Sequence, residues 1–123
     1  AVNIEAYPGG CDNIKPERGI LTHANHFTAN TNLNALEDSP RGERLAFLLE
    51  EKHGLVSTDY LKKCMSDHKN YPKAICRHPA DVSIPLSRRS MTVSSMIIDL
   101  SESIVHICAG PPCEGEFVQL ALY

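Results

Sequence analysis

SMTVSSMIIDLSESIVHICA, residues 90 to 109, decides the fold. Residues 90 to 100 and 103 to 109 are rich in β-branched and apolar side chains and are separated by Ser101-Glu102, with Asp99 just before them. This pattern predicts two antiparallel strands joined by a tight hairpin. Downstream, Pro111-Pro112-Cys113 forms a corner, and residues 117 to 122 read as a further strand.

Upstream the pattern becomes helical. Ser39-Pro40 reads as an N-cap followed by proline at the first helical position, with Leu45, Leu48 and Leu49 at helical spacing and a stop at Gly54. A second helix is expected from Ser57 or Thr58, with Asp59 at its positive dipole end, Leu61, Cys64, Met65 and His68 on one face, and an end before Pro72. Acidic and basic residues balance between Glu37 and Lys73, as on the solvated face of a helical pair. Residues 73 to 89 hold Pro79 and Pro85 without helical periodicity and read as a structured loop or short strand fragments.

At the start, residues 1 to 7 alternate, with Val2, Ile4 and Ala6 on the side expected to be buried and Asn3 and Glu5 on the other. Pro8-Gly9-Gly10 ends this strand, and a second is expected at Ile20-Leu21-Thr22-His23, paired with the first. The run TANTNLNALED, residues 28 to 38, reads as an exposed loop, because Asn and Thr side chains bond nearby backbone. The order strand, strand, helix, helix, strand, strand, strand predicts an α+β fold with an antiparallel sheet and two helices, carried by a single segment, residues 1–123.

Composition excludes several functions. The chain has 123 residues, a formal charge of -3, 42% hydrophobic residues, a pI near 6.1 and a mean hydropathy of -0.22. It has no long apolar run and no block of like charges, so neither a membrane span nor nucleic-acid binding is expected. Cys11, Cys64, Cys76, Cys108 and Cys113 are five cysteines without a C-x-x-C pair, which fits neither a disulfide scaffold nor a zinc ribbon. Their low density favours reduced thiols and an intracellular setting. Cys64 and Cys108 lie on apolar faces and belong to the core.

Three stretches offer chemistry. Cys11 follows Gly10 and would become a nucleophile if cleavage freed its α-amine; otherwise it is a loop cysteine. In Thr22-His23-Ala24-Asn25-His26-Phe27, the two histidines give only half a metal site, whereas the Asn25 amide can donate to the oxyanion of an acyl-transfer intermediate, or all three can simply bond the strand end. In Ile75-Cys76-Arg77-His78, Arg77 can hold a carboxylate or orient a catalytic group. Cys76 beside Arg77 and His78 is either a reactive thiol of depressed pKa or a small buried residue. No G-x-S-x-G, Gly-rich phosphate loop or H-E-x-x-H is present.

Ile4-Glu5-Ala6, the H-x-N-H-F run at His23 to Phe27, RGERLAFLL at residues 41 to 49, Asp67-His68-Lys69-Asn70-Tyr71-Pro72, the I-C-R run at Ile75 to Arg77, Met91-Thr92-Val93, Ile97-Ile98-Asp99 and Gly110-Pro111-Pro112 follow one another in an order that spans nearly the whole chain. This order resembles the C-terminal half of the β chain of the acyl-coenzyme A:6-aminopenicillanate acyltransferase family, whose members include penicillin acyltransferase and N-β-alanyl-dopamine hydrolase. The resemblance implies part of a four-layer αββα N-terminal-nucleophile hydrolase sandwich. In that family a precursor cleaves itself at a Gly-Cys bond, and the freed cysteine attacks N-acyl amides or acyl thioesters. By the same resemblance, Asn25 matches the oxyanion-hole asparagine and Arg77 the active-site arginine. The family's nucleophile lies upstream of the segment matched here, so the expected partners are the remainder of the same precursor and a small-molecule N-acyl substrate. Neither cofactor nor metal is implied. The alternative reading is a non-catalytic interaction domain that pairs through its sheet edges.

Overall fold

The structure is a computed structural model that describes residues 1–29 and 40–123. Its fold is mixed α+β, with two helices and two antiparallel sheets. The chain divides into two compact units, Ala1–His53 and Gly54–Tyr123.

In the first unit, β1 (Asn3–Tyr7) pairs antiparallel with β2 (Gly10–Ile14). The second strand therefore comes earlier than the sequence suggests. Gly9 takes φ of 95° in the two-residue turn Pro8-Gly9, so the chain reverses at once and the shortest loop closes. Ile20, expected within a strand, instead makes an isolated bridge with Glu17 around Arg18 and Gly19, both at positive φ. The inward face of β1 is also reversed: Glu5 is 4% exposed, whereas Ile4 is 61% exposed and Val2 50%. Helix α1 (Pro40–Glu51) starts at its proline as expected and ends three residues before Gly54. Arg18 ties to it through a 3.1 Å ion pair with Glu50. Of the loop expected over residues 28 to 38, only Thr28 and Ala29 are described, and both are exposed; the remainder and the Ser39 cap lie outside the described residues.

In the second unit, β3 (Ser94–Asp99), β4 (Ile104–Ala109) and β5 (Val118–Ala121) pair antiparallel in chain order. The β3–β4 hairpin forms at the expected place but with a four-residue turn, Leu100 to Ser103, rather than Ser101-Glu102 alone, and Asp99 Oδ1 accepts from the backbone N–H of Ser101 and Glu102. β3 begins four residues later than expected: Val93 O still accepts from Gly110 N–H beside the ladder, but Thr92 exchanges hydrogen bonds with Arg77 instead.

Register separates the two faces of this sheet. Directly paired residues share a face, so Met96-Ile107-Val118 and Ile98-Val105-Leu120 form one side, and Ile97-His106-Gln119 lies on the other with Cys108. Helix α2 (Thr58–Met65) packs on β3 and donates from Thr58 Oγ1 to Asp99, which shares the Ile97 face. Ile97, His106 and Cys108 are accordingly buried, whereas Met96, Ile98, Val118 and Leu120 are each more than half exposed. Cys64 and Cys108 are core residues, as expected.

Helix α2 is capped by Ser57, whose hydroxyl accepts from Tyr60 N–H. It stops well before Pro72, and His68 falls beyond it. The Ser66 hydroxyl donates back to Lys62 O, and Asp67 Oδ1 accepts from Lys69 N–H; both are local bonds that compete with helix continuation.

After β4, the corner at Pro111 and Pro112 turns the chain so tightly that a Cβ on Gly115 would lie 2.6 Å from Cys108 Sγ and 2.9 Å from Ala109 O. Gly115→Ala is therefore expected to destabilise the second unit by about 1–3 kcal/mol through overpacking. Denaturant unfolding that shows no change would mean the corner relaxes freely.

Candidate functional site

Residues 23 to 29 carry Asn25 and form an irregular segment held by Glu5 of β1. Glu5 Oε1 accepts from Thr28 N–H at 2.7 Å and faces His23 Nε2 at 3.0 Å, while Oε2 accepts from Ala29 N–H at 3.0 Å. One buried carboxylate thus ties both ends of the segment, and Asn25, between them, is exposed. The His23 and His26 rings stack at 6.4 Å, and among the described residues His26 Nδ1 has no hydrogen-bond partner. Strand alternation alone puts Glu5 on the outer face, whereas the fold buries it. The clue to its role is the single carboxylate in a short strand, but its partners lie 18 to 24 residues away.

Burial pushes the Glu5 carboxyl up, yet the hydrogen bonds from Thr28, Ala29 and His23 outweigh it and hold the group below the ordinary carboxylate range. A carboxyl lowered in the folded state adds stability above its unfolded pKa, and that stability is lost as pH falls through the folded value. Acidification below the unfolded value of about 4.3 is therefore expected to release the segment. Amide exchange at Thr28 and Ala29 should accelerate across that window, and Glu5→Gln should show fast exchange at neutral pH already. Unchanged protection in Glu5→Gln would rule out the anchoring role.

Asn25 Oδ1 accepts from the Arg41 guanidinium of α1. A guanidinium can only donate, so this contact fixes the amide orientation and turns Nδ2, with its two N–H groups, away from Arg41. The exposed end of Asn25 is a donor. Such polarity suits a developing oxyanion.

Arg77 belongs to the second unit. Its backbone N–H donates to Thr92 Oγ1 at 2.9 Å, its carbonyl accepts from Thr92 N–H at 2.9 Å, and Nη1 donates to Ser90 Oγ at 2.8 Å. Among the described residues its buried Nε has no acceptor. The side chain is thus held by its backbone and one hydroxyl, with donor capacity left for an anionic group.

On either side of Arg77 the fold assembles a thiol and imidazole cluster of His68, Cys76, His78 and Cys113, whose donor atoms all lie within 4.8 Å of one another. His68 Nε2 is 3.1 Å from His78 Nε2, which lies 3.2 Å from Cys113 Sγ and 3.7 Å from Cys76 Sγ. The two sulfurs are 3.5 Å apart. Cys76 N–H donates to Asp67 O at 2.9 Å, which draws the loop after α2 back on itself and brings His68 to Cys76.

Cys76 is not the activated thiol that its neighbours suggested. Burial pushes it up to about 11, with the Cys113 thiol and Glu114 adding to the rise and the Cys113 backbone N–H opposing it. At neutral pH, without a Lewis acid, it is a protonated thiol and a poor nucleophile.

Sequence reading offered only His23 and His26 as a partial metal site and expected no metal. The donors that do converge are three within eleven residues, 68 to 78, and a fourth brought from Cys113 by the corner before β5. The signal was the H-x7-C-x-H spacing, which matches no standard motif. Cys11 is exposed within β2, where it pairs with Ala6, so the Gly10-Cys11 bond lies inside a strand rather than a loop. Among the described residues no helix is long and apolar enough to cross a membrane. No protein-family model and no curated protein matches the chain.

Proposed function

We propose that this chain is the C-terminal portion of a self-processing cysteine N-terminal-nucleophile amidohydrolase or acyltransferase acting on N-acyl amides or acyl thioesters. The observation that carries this reading is the orientation of Asn25, whose oxygen is taken by Arg41 so that its exposed end donates. The cysteine at the start of the upstream segment attacks the substrate carbonyl, its α-amine taking the thiol proton. The carbonyl oxygen becomes an oxyanion that accepts from Asn25 Nδ2. Collapse expels the amine, protonated by the α-ammonium, or the thiol of a thioester, and leaves an acyl-cysteine. Water completes hydrolysis; an amine completes transfer. Arg77 pairs with a carboxylate of the substrate or orients the nucleophile.

The uncovered apolar face of β3, β4 and β5 supports the αββα arrangement. Helix α2 already lies on the opposite face, and the precursor's own second sheet would bury Met96, Ile98, Val118 and Leu120. The same face would equally serve a non-catalytic interaction domain. Intact and native mass measurements on the isolated protein separate the two. A co-purifying polypeptide that begins with cysteine, together with thiol-dependent cleavage of N-acyl amides or thioesters by the assembly, is the expected result. A folded chain without a companion, or an assembly inactive on both substrate classes, would overturn the enzymatic reading.

A further inference from the structure

We propose that His68, Cys76, His78 and Cys113 form a structural zinc site that fixes the loop carrying Arg77 to the corner before β5. The geometry carries the proposal. With Zn–S near 2.3 Å and Zn–N near 2.0–2.1 Å, a tetrahedral ion places its ligand atoms roughly 3.3–3.8 Å apart. Four of the six donor separations, 3.1, 3.2, 3.5 and 3.7 Å, match those edges within a few tenths of an ångström, and the other two, from His68 Nε2 to each sulfur, lie within 4.8 Å. Both imidazoles approach through Nε2 and both cysteines through Sγ, so the four donor atoms are close enough together to serve one ion.

The surroundings fit as well. His78 turns Nδ1 towards the Glu114 carboxylate at 3.5 Å, the outer contact that orients a metal-bound imidazole and selects its Nε2 as ligand. The donor set of two thiols and two imidazoles suits zinc, and four protein ligands close the coordination sphere, which marks a structural rather than a catalytic centre. Binding is balanced: Zn²⁺ displaces the two thiol protons to solvent, and the Zn(Cys)₂(His)₂ unit is neutral, which lets the wholly buried Cys76 serve as a thiolate.

The site also has a structural purpose. Residues 67 to 79 and 110 to 115 hold little regular secondary structure, so their backbone conformation rests on few ladder hydrogen bonds. Zinc would join the loop after α2, the Cys76-Arg77-His78 turn and the Cys113 corner at one atom. Arg77, between two ligands, would then be held in place whatever chemistry it serves, so the inference stands apart from the acyl-transfer reading.

The test uses the full 123-residue chain, purified reduced, with Zn(II) and Co(II) as probes. Expected are one zinc per chain, removable by chelator with a fall in melting temperature, and a Co(II) derivative showing thiolate charge-transfer and tetrahedral d–d bands. Cys76 is wholly buried and its variants are liable to misfold, so the decisive variants are His68→Ala and Cys113→Ser at the two exposed ligands. Glu114→Gln should weaken zinc by about 10–100-fold, and loss of either exposed ligand should cost more. Cys11→Ser should bind as the parent does. Substoichiometric zinc, cobalt spectra without thiolate bands, unchanged affinity in both ligand variants, or a Cys76–Cys113 disulfide recovered under reducing conditions with zinc present would each overturn the site.

Discussion

Under the proposed acyl-transfer function, Asn25→Ala is expected to lower kcat of the assembly by about 10²–10³-fold, with a much smaller change in KM, because the donor it removes would act on charge that exists only in the transition state. That loss corresponds to about 2.7–4 kcal/mol of barrier. Asn25→Asp should be at least as damaging, since it replaces the donor with a carboxylate that repels the oxyanion. Arg41→Ala separates donation from positioning. It leaves the amide in place but frees it to rotate, so kcat should fall by less than in Asn25→Ala, and the double variant should be no worse than Asn25→Ala alone. An unchanged kcat in Asn25→Ala, measured with folding verified, would remove this residue from the mechanism and with it the main support for the acyl-transfer reading.

The second large effect distinguishes the two faces of the β3–β4–β5 sheet. Ile97 and Ile98 are neighbours in sequence, one 6% and the other 52% exposed. Ile97→Ala should cost the second unit about 2–5 kcal/mol in any setting, through lost transfer energy and the cavity left behind. Ile98→Lys should alter the stability of the isolated chain by no more than about 0.5 kcal/mol, as for an ordinary surface position. In the proposed assembly the same lysine would lie at the centre of a buried sheet contact and should prevent association with the proposed partner segment. Denaturant unfolding and native mass together decide this. If Ile98→Lys destabilises the isolated chain as much as Ile97→Ala, the face is already covered and the layered arrangement loses its support; if assembly tolerates the lysine, the partner sheet sits elsewhere.

Elements specified by neighbouring residues were legible in the sequence. The Ser57 cap of α2 and the turn after Asp99 each depend on contacts a few residues apart, and α1 starts at the expected Pro40. The burial of Cys64 and Cys108 follows from apolar spacing in the same way. The end of α2 is set by a competition of similar range: apolar spacing extends to His68, but the Ser66 and Asp67 side chains bond locally and end the helix first.

Asn25 and Arg77 were singled out from motif, but their bonding was not visible, because Arg41, Ser90 and Thr92 lie 13 to 16 residues away along the chain. β1 shows the limit most clearly. Alternation fixes that its residues point to two sides, not which side is covered. The orphan N–H groups of Thr28 and Ala29 draw Glu5 inward and turn Ile4 out.

The sequence by itself therefore determined the α+β class, the two helices, the β3–β4 hairpin and the chemical capacity of Asn25 and Arg77. Only the tertiary structure decided the covered face of each sheet, the anchoring role of Glu5, the high pKa of Cys76 and the meeting of His68, Cys76, His78 and Cys113. The physical reason is range. Local propensity and capping act within a turn or two of chain, whereas burial, pKa and metal geometry depend on which distant groups the fold brings within a few ångströms.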